Sequence, residues 1–429
     1  MLEGKTALFI RTSSPARLVW YERLLELGVR LAVVEPSMSA RSEFVPIFHH
    51  WIECETNDVD TVESWVRAAI AEGKMNHPDA VLSFDEYGVY PASCLAERFN
   101  CRPTPLPPAG LKATHVKSLF REWCTAHNIR SPAAVSIPEP SVDVSELVSR
   151  LNFPVVMKPS PGAGSLLAKK CETAIDAVNH AAFMWKELLS APSRIHLEAF
   201  GPKVHIDVEE YVGGQEVDVD CVVVEGKVVF AAVSDNFEVQ PPYFAEQGGL
   251  LPSTLPASQQ ADILELLHSF VVSHGTSLSG VLHFEAKYDF VRGAPYVIEV
   301  NCRPGSAETD VLVSTVYGVP LGEIHSKLAF RLPIDDLLPK TQTPKKYAAS
   351  VNMYPNVEGI VRAMKAPTQD PNFVEFRGTP AGRWVGFPPK MFGCVAWMVA
   401  DGESAEDAKK NIDRLTALVE FDIDTTHDG

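Results

Sequence analysis

Residues 280–305, GVLHFEAKYDFVRGAPYVIEVNCRPG, alternate apolar and polar side chains on either side of a short turn-forming run. That pattern predicts an antiparallel hairpin with one apolar and one charged face. Ile298, Val300 and Cys302 share one face of the second strand, and Glu299, Asn301 and Arg303 share the other. On the first strand Val281, His283, Glu285, Lys287 and Asp289 lie on one face. With the turn centred near Arg292, Glu285 falls opposite Glu299. Opposed like charges destabilise a sheet by a few tenths to about 1 kcal/mol. The arrangement therefore invites a cation, unless Lys287 neutralises one carboxylate. Carboxylate and amide oxygens from Glu285, Glu299 and Asn301 suit Mg²⁺ better than Zn²⁺. Arg303 can then hold phosphate oxygens bidentately. A solvated sheet face explains the same alternation, so the metal reading needs signs of a phosphate ligand elsewhere.

Those signs lie upstream. PVVMKPSPGAGS reads as a strand ending at Lys158, followed by a loop of small residues from Ser160 to Ser165. Gly162 and Gly164 allow backbone N–H groups close to phosphate oxygens, and Ser165 adds a hydroxyl. This is not a Walker A loop, because the lysine precedes the glycines. VEEYVGGQEVDVD offers an extended segment for an adenine edge and then Glu216 for a ribose, although a plain edge hairpin fits equally well. HIDVEEYVGGQEVDVDCVVVEGKVVFAAVSD reads as three strands with turns at Gly213–Gly214 and Glu225–Gly226. Residues 236–256 show no period, and so long a connection is more often functional than idle.

The N-terminal third has a different pattern. TALFI, ARLVWYERLLELG and RLAVVEP form a β-α-β unit, which predicts an open parallel sheet with crossover helices. No G-x-G-x-x-G follows the first strand, so a dinucleotide site of the usual kind is not supported. Asp85 and Glu86 follow a strand in DAVLSFDEYG, where ligands gather in such sheets. A helix over ATHVKSLFREWCTAHNI carries Lys117 and Arg121 on one face. The tail ends with a strand over FGCVAWMVA and a helix opening at Ser404, with Asp407 placed for a capping box.

With 429 residues the chain is long for one core, so two or three domains are expected. A net charge of −17 argues against nucleic-acid binding. The eight cysteines include no C-x-x-C pair, which points to reduced thiols and a cytoplasmic protein. No apolar run reaches about 18 residues, so no membrane span is expected.

Taken in order, Lys117, PVVMKPSPGAGS, VEEYVGGQE, HFEAKYD and VIEVNCRPG resemble the ATP-grasp superfamily. Within it the chain looks most like the carboxylate–amine ligases of the L-amino acid ligase and carnosine synthase type. The resemblance implies a mixed α/β and α+β multidomain protein, an ATP-grasp fold preceded by a Rossmann-like parallel domain. The implied division is 1–110 for that first domain, 111–212 for a small subdomain with a lid over about 141–203, and 213–429 for a large subdomain with a C-terminal extension. The resemblance further implies ATP and two Mg²⁺ ions, with Mn²⁺ as a substitute. Lys117 and Lys158 would contact the nucleotide phosphates, and the loop carrying Ser160, Gly162, Gly164 and Ser165 would fold over them. Glu209, Glu210, Tyr211 and Val212 would form the adenine hinge, and Glu216 would bind the ribose. Glu285, Glu299 and Asn301 would hold the metal, while Arg303, with Lys158, would stabilise the transferring phosphoryl group.

The implied reaction joins a small carboxylate to an amine through an acyl phosphate. A carboxylase, a phosphotransferase or a non-catalytic ATP-binding protein are the alternatives. A homodimer is the default expectation. Two departures from the ligase pattern bear on substrate. EQGGLLPS, beginning at Glu246, has Gly249 where these ligases often carry histidine, and Ser306, Ala307 and Glu308 replace a glycine-richer segment. Glu86, Glu308 or Asp310 would be available to a substrate ammonium. Lone histidines such as His283 are read as structural.

Overall fold

The computed structural model describes residues 2–160, 162, 164–165, 167–190, 204–239, 243–386 and 394–426. The expected lid region beyond residue 190 and part of the 236–256 segment lie outside these. Thr6–Ile10, Arg30–Glu35, His50–Glu53 and Ala80–Leu82 form a four-stranded sheet with every pairing parallel, as the β-α-β pattern predicts. Phe9, Tyr21 and Phe84 pack edge to face on one side of it.

A second, antiparallel sheet runs Ala134–Ile137, His205–Glu210, Val155–Ser160, Lys169–Cys171. The helix Ala174–Ser190 covers it through Ala177 and Met184. The strand carrying Lys158 does not end there but continues to Ser160. The third sheet has eight strands: Ala294–Asn301, Gly280–Asp289, Gln215–Val224, Lys227–Asn236, Gly249–Leu251, Tyr347–Met353, Ala396–Gly402 and Phe373–Gly378. Gly249–Leu251 corrects the expectation of a structureless connection, since three residues are too few to show a period. A small sheet of Trp384–Val385, Gly359–Lys365 and Glu420–Asp424 completes the C-terminal region. Among the described residues no helix is long and apolar enough to cross a membrane.

The eight-stranded sheet buries both faces. Ala257–His274, with Leu111, Phe120 and Cys124 from two shorter helices, covers one. Ala307–Tyr317 and Leu321–Ala329 cover the other. The helix expected over 113–129 is two helices, Pro108–His115 and Lys117–Ala126. Val116 breaks them with ψ 106°, and the Ser160 hydroxyl accepts from the Lys117 N–H at 3.0 Å. That bond fixes where Lys117 leaves the backbone. At the tail, the Ser404 hydroxyl caps its helix by accepting from Asp407 N–H at 3.1 Å.

The parallel domain is clamped to the large sheet beside the hairpin. Arg17 is buried and donates to Phe84 O at 2.5 Å and Gly305 O at 2.6 Å. Trp20 donates to Asp310 at 2.7 Å, and Asp310 also accepts from Leu321 N–H at 2.7 Å. Asp310 is therefore a structural linker and not a free partner for a substrate ammonium. Burial pushes its carboxyl up to about 6 despite these bonds.

Candidate functional site

The hairpin strands Gly280–Asp289 and Ala294–Asn301 pair Glu285 with Glu299 and His283 with Asn301. The expected opposition of the two glutamates is present, but a different device produces it. From the turn as far as Ala286↔Val297 the register would set Glu285 against Ile298; a bulge there shifts the count by one. Ile298 is thereby turned out of the apolar face and lines the cleft described below, while Val297 takes its place in the core. Arg121 holds the bulge by donating to Ile298 O at 2.6 Å and Val297 O at 3.3 Å.

On the same face the neighbouring strand Gln215–Val224 adds Glu216, Asp218 and Asp220, registered with Lys287, Glu285 and His283. Alternating acids in QEVDVD were a legible signal for Asp218 and Asp220, which the sequence reading passed over. His283 is not a bland strand histidine. Its Nδ1 lies 2.9 Å from Asp220, its Nε2 lies 3.6 Å from Asp218, and although burial opposes it, these carboxylates raise its pKa to about 10. Asn301 donates to Glu285 at 2.7 Å. Burial and then Glu299 push the Glu285 carboxyl well above its ordinary range. That is the signature of a carboxylate pair short of positive charge, and its oxygen-only donor set suits a hard divalent cation. Among the described residues no three His, Cys, Asp or Glu side chains already converge as a metal cluster.

Between the hairpin and the small antiparallel sheet lies a cleft. Lys117, Lys158, Gly162, Gly164, Ser165, Glu209, Glu210, Tyr211, Val212 and Glu216 all line it, together with Glu285 and Glu299. Ser160 does not; it is buried and serves the Lys117 backbone. Pro161 and Ala163 lie outside the described residues. Lys117 Nζ donates to Gly162 O at 2.8 Å and lies 3.5 Å from Glu299, tying the small-residue loop to the hairpin. Lys158 Nζ stands 2.7 Å from Glu209, whose two oxygens also accept from Arg121 at 2.9 and 3.1 Å. Burial alone would raise Glu209, but Arg121 and Lys158 hold it down to about 2. Glu209 thus orients two cations through its side chain. Glu216 meets Lys287 at 3.4 Å, and Lys287 Nζ lies 5.0 Å from the centre of the Tyr211 ring.

Arg303 stands at the far end of the polar file. Its Nε donates to Glu86 at 2.5 Å, and Nη2 reaches Asn301 at 3.4 Å. His115 Nδ1 lies 2.8 Å from the other Glu86 oxygen. Burial would raise Glu86, yet Arg303 and His115 hold its carboxyl far below the usual range. Glu86 accordingly faces Arg303 and His115 here. Of the other expected substrate contacts, Glu246, Gly249, Ser306 and Glu308 meet in a second cavity that shares Glu216 and Glu285 with the cleft. Gly249 admits no side chain without movement, since a Cβ there would sit 2.7 Å from Asp235 O.

Residues 151–310 match the ATP-grasp domain model. Carnosine synthase 1 of Gallus gallus is 28% identical over 359 residues, covering 82% of this chain and 38% of that protein. Carnosine synthase 1 of Homo sapiens is 26% identical over 341 residues, covering 75% and 39%. The chain thus spans less than two fifths of the length of these relatives. An L-amino acid ligase structure from Bacillus licheniformis superposes with a TM-score of 0.84 over 99% of this chain and 100% of that one, at 16% identity. The domain match covers the strands that line the cleft, and the fold of the chain is that of the L-amino acid ligase structure.

Proposed function

We propose that the protein is an ATP-dependent carboxylate–amine ligase joining two small molecules, at least one of them an amino acid. One observation carries this reading. Glu285 lies on the wall of both the cleft and the second cavity, so a phosphate in one and a carboxylate in the other would meet at the hairpin.

In this reaction a substrate carboxylate oxygen attacks the γ-phosphorus, the bond to the β-phosphate breaks, and ADP leaves. The acyl phosphate is then attacked by a neutral amine; the carbon–oxygen bond to phosphate breaks and an amide forms. Lys117 and Lys158 neutralise phosphate oxygens, and Glu209 fixes the position of Lys158. Arg303, held by Glu86, is aimed at the transferring group. Mg²⁺, two ions held by Glu285, Glu299 and Asn301, would supply further charge neutralisation when bound. No protein nucleophile is needed. In this reading the lid-bearing unit begins nearer Ala134 than residue 111, which is supported by Phe120 and Cys124 packing on the large sheet.

An ADP-release screen over pairs of amino acids, with product masses, tests the proposal. The expected result is ADP formed only with a productive pair, in equal amount to an amide. ADP release that requires bicarbonate and yields no amide would replace this reading with a carboxylase.

A further inference from the structure

Six carboxylates line the second cavity: Glu216, Asp218, Asp220, Glu246, Glu285 and Glu308. Four have partners in the wall. Lys287 meets Glu216, His283 lies between Asp218 and Asp220, and Asn301 donates to Glu285. Glu246 and Glu308 differ. Among the described residues neither side chain has an ion-pair or hydrogen-bond partner. Glu308 is only 8% exposed, in the first turn of Ala307–Tyr317. The helix dipole there offsets part of its charge, but does nothing for Glu246 on a separate segment. A third acceptor stands on the same wall: Asn352 is 7% exposed and its amide oxygen has no donor.

Glu308 and the Asn352 amide oxygen are buried acceptors, costly unless a ligand brings donors and positive charge, while Glu246 stands more exposed on the same cavity wall. The remaining wall mixes an apolar stretch, Leu251, Leu312 and Val313, with polar side chains such as Ser306, Thr309 and Ser350. Gly249 adds no side chain to narrow the space between them. The apolar stretch and the carboxylates together match an aliphatic stem bearing a cation.

We propose that this cavity selects a substrate whose aliphatic stem ends in a cationic group, the class of basic amino acids and diamines, with Glu246 and Glu308 as the residues that recognise the cation. The inference rests on the ligase reading for its place in a reaction, but not for binding.

The test is calorimetric titration of the full chain, loaded with Mg²⁺ and a non-hydrolysable ATP analogue. The probes are lysine, ornithine and putrescine, against norleucine and glutamate. The expected result is binding of the cationic probes at least tenfold tighter than norleucine, with none for glutamate. Glu308→Gln and Glu246→Gln, each checked by thermal melting, should weaken lysine binding tenfold or more and norleucine binding less than twofold. Equal affinity for lysine and norleucine, no binding of any probe, or unchanged lysine affinity in both folded variants would overturn the proposal. Tight lysine binding without amide product in any pairing supports the cation site and removes the ligase reading. Amides made with equal efficiency from neutral and basic amino acids keep the ligase reading and remove the cation site.

Discussion

Lys158 and Arg121 grip the same carboxylate, Glu209, from two different layers of the molecule. Lys158 belongs to the small antiparallel sheet, and Arg121 to a helix packed on the eight-stranded sheet. One buried anion therefore sets how the two walls of the cleft stand relative to each other.

Removing that charge should be severe. Glu209→Gln leaves two buried cations without their counter-ion, a loss of about 3–5 kcal/mol. Denaturant unfolding should show it, and affinity for an ATP analogue should fall with it. The sign of the pH dependence follows from the depressed pKa. Glu209 stabilises the fold fully above about pH 4.5, its ordinary value, and that stability is lost as pH falls toward about 2. Over this window the stability of Glu209→Gln should fall less steeply than that of the parent.

Glu285 and Glu299 should behave in the opposite way. Glu299→Gln or Glu285→Gln abolishes ADP release, and Glu285→Gln, which relieves the like-charge pair and leaves Lys117 its partner Glu299, should melt no lower than the parent without metal. Adding Mg²⁺ raises the melting temperature of the parent by mass action and leaves the variants unmoved. Retained turnover in Glu299→Gln would remove that residue from the metal site.

Arg303 serves three partners from one planar group: Glu86, Pro304 O and Asn301. Lysine keeps the charge but not the fork. Arg303→Lys should cut the rate of ADP release about 10²-fold, with little change in KM for ATP. Steady-state kinetics against both substrates separates this from a binding defect.

Two adjacent glycines give a paired control. At Gly214, φ is +85° and a Cβ would collide with Tyr288 O, whereas Gly213 has nothing within 4 Å. Gly214→Ala should destabilise by more than about 1 kcal/mol. Gly213→Ala should be close to neutral in the same unfolding experiment.

Much of this architecture is legible in the chain because it is local. Gln215–Val224 and Lys227–Asn236 follow from alternation and the Glu225–Gly226 turn, where φ is 49° and 75°. The cleft residues follow from short motifs that each fold within one element pair. What escapes the sequence depends on distant partners. The break at Val116 is stabilised by Ser160, and the charge of Glu86 by Arg303, 217 positions away. Arg121 shares a helix face with Lys117, but nothing local shows that it reaches Glu209 and the bulge. Ile298 was misplaced for the same reason, since its carbonyl is capped from another helix.

The bulge at Ile298 also sets a rule for length variation. A one-residue change between Asp289 and Ala294 that the ladder takes up, with no change in the loop, would carry Glu285 and Glu299 to opposite sides of the sheet. A second one-residue change that removes the bulge would bring them back. Chains that diverge from this one should therefore differ there by pairs of residues, or trade turn length against the bulge. Single insertions at this tip keep the site only where the loop itself lengthens and leaves the ladder register unchanged.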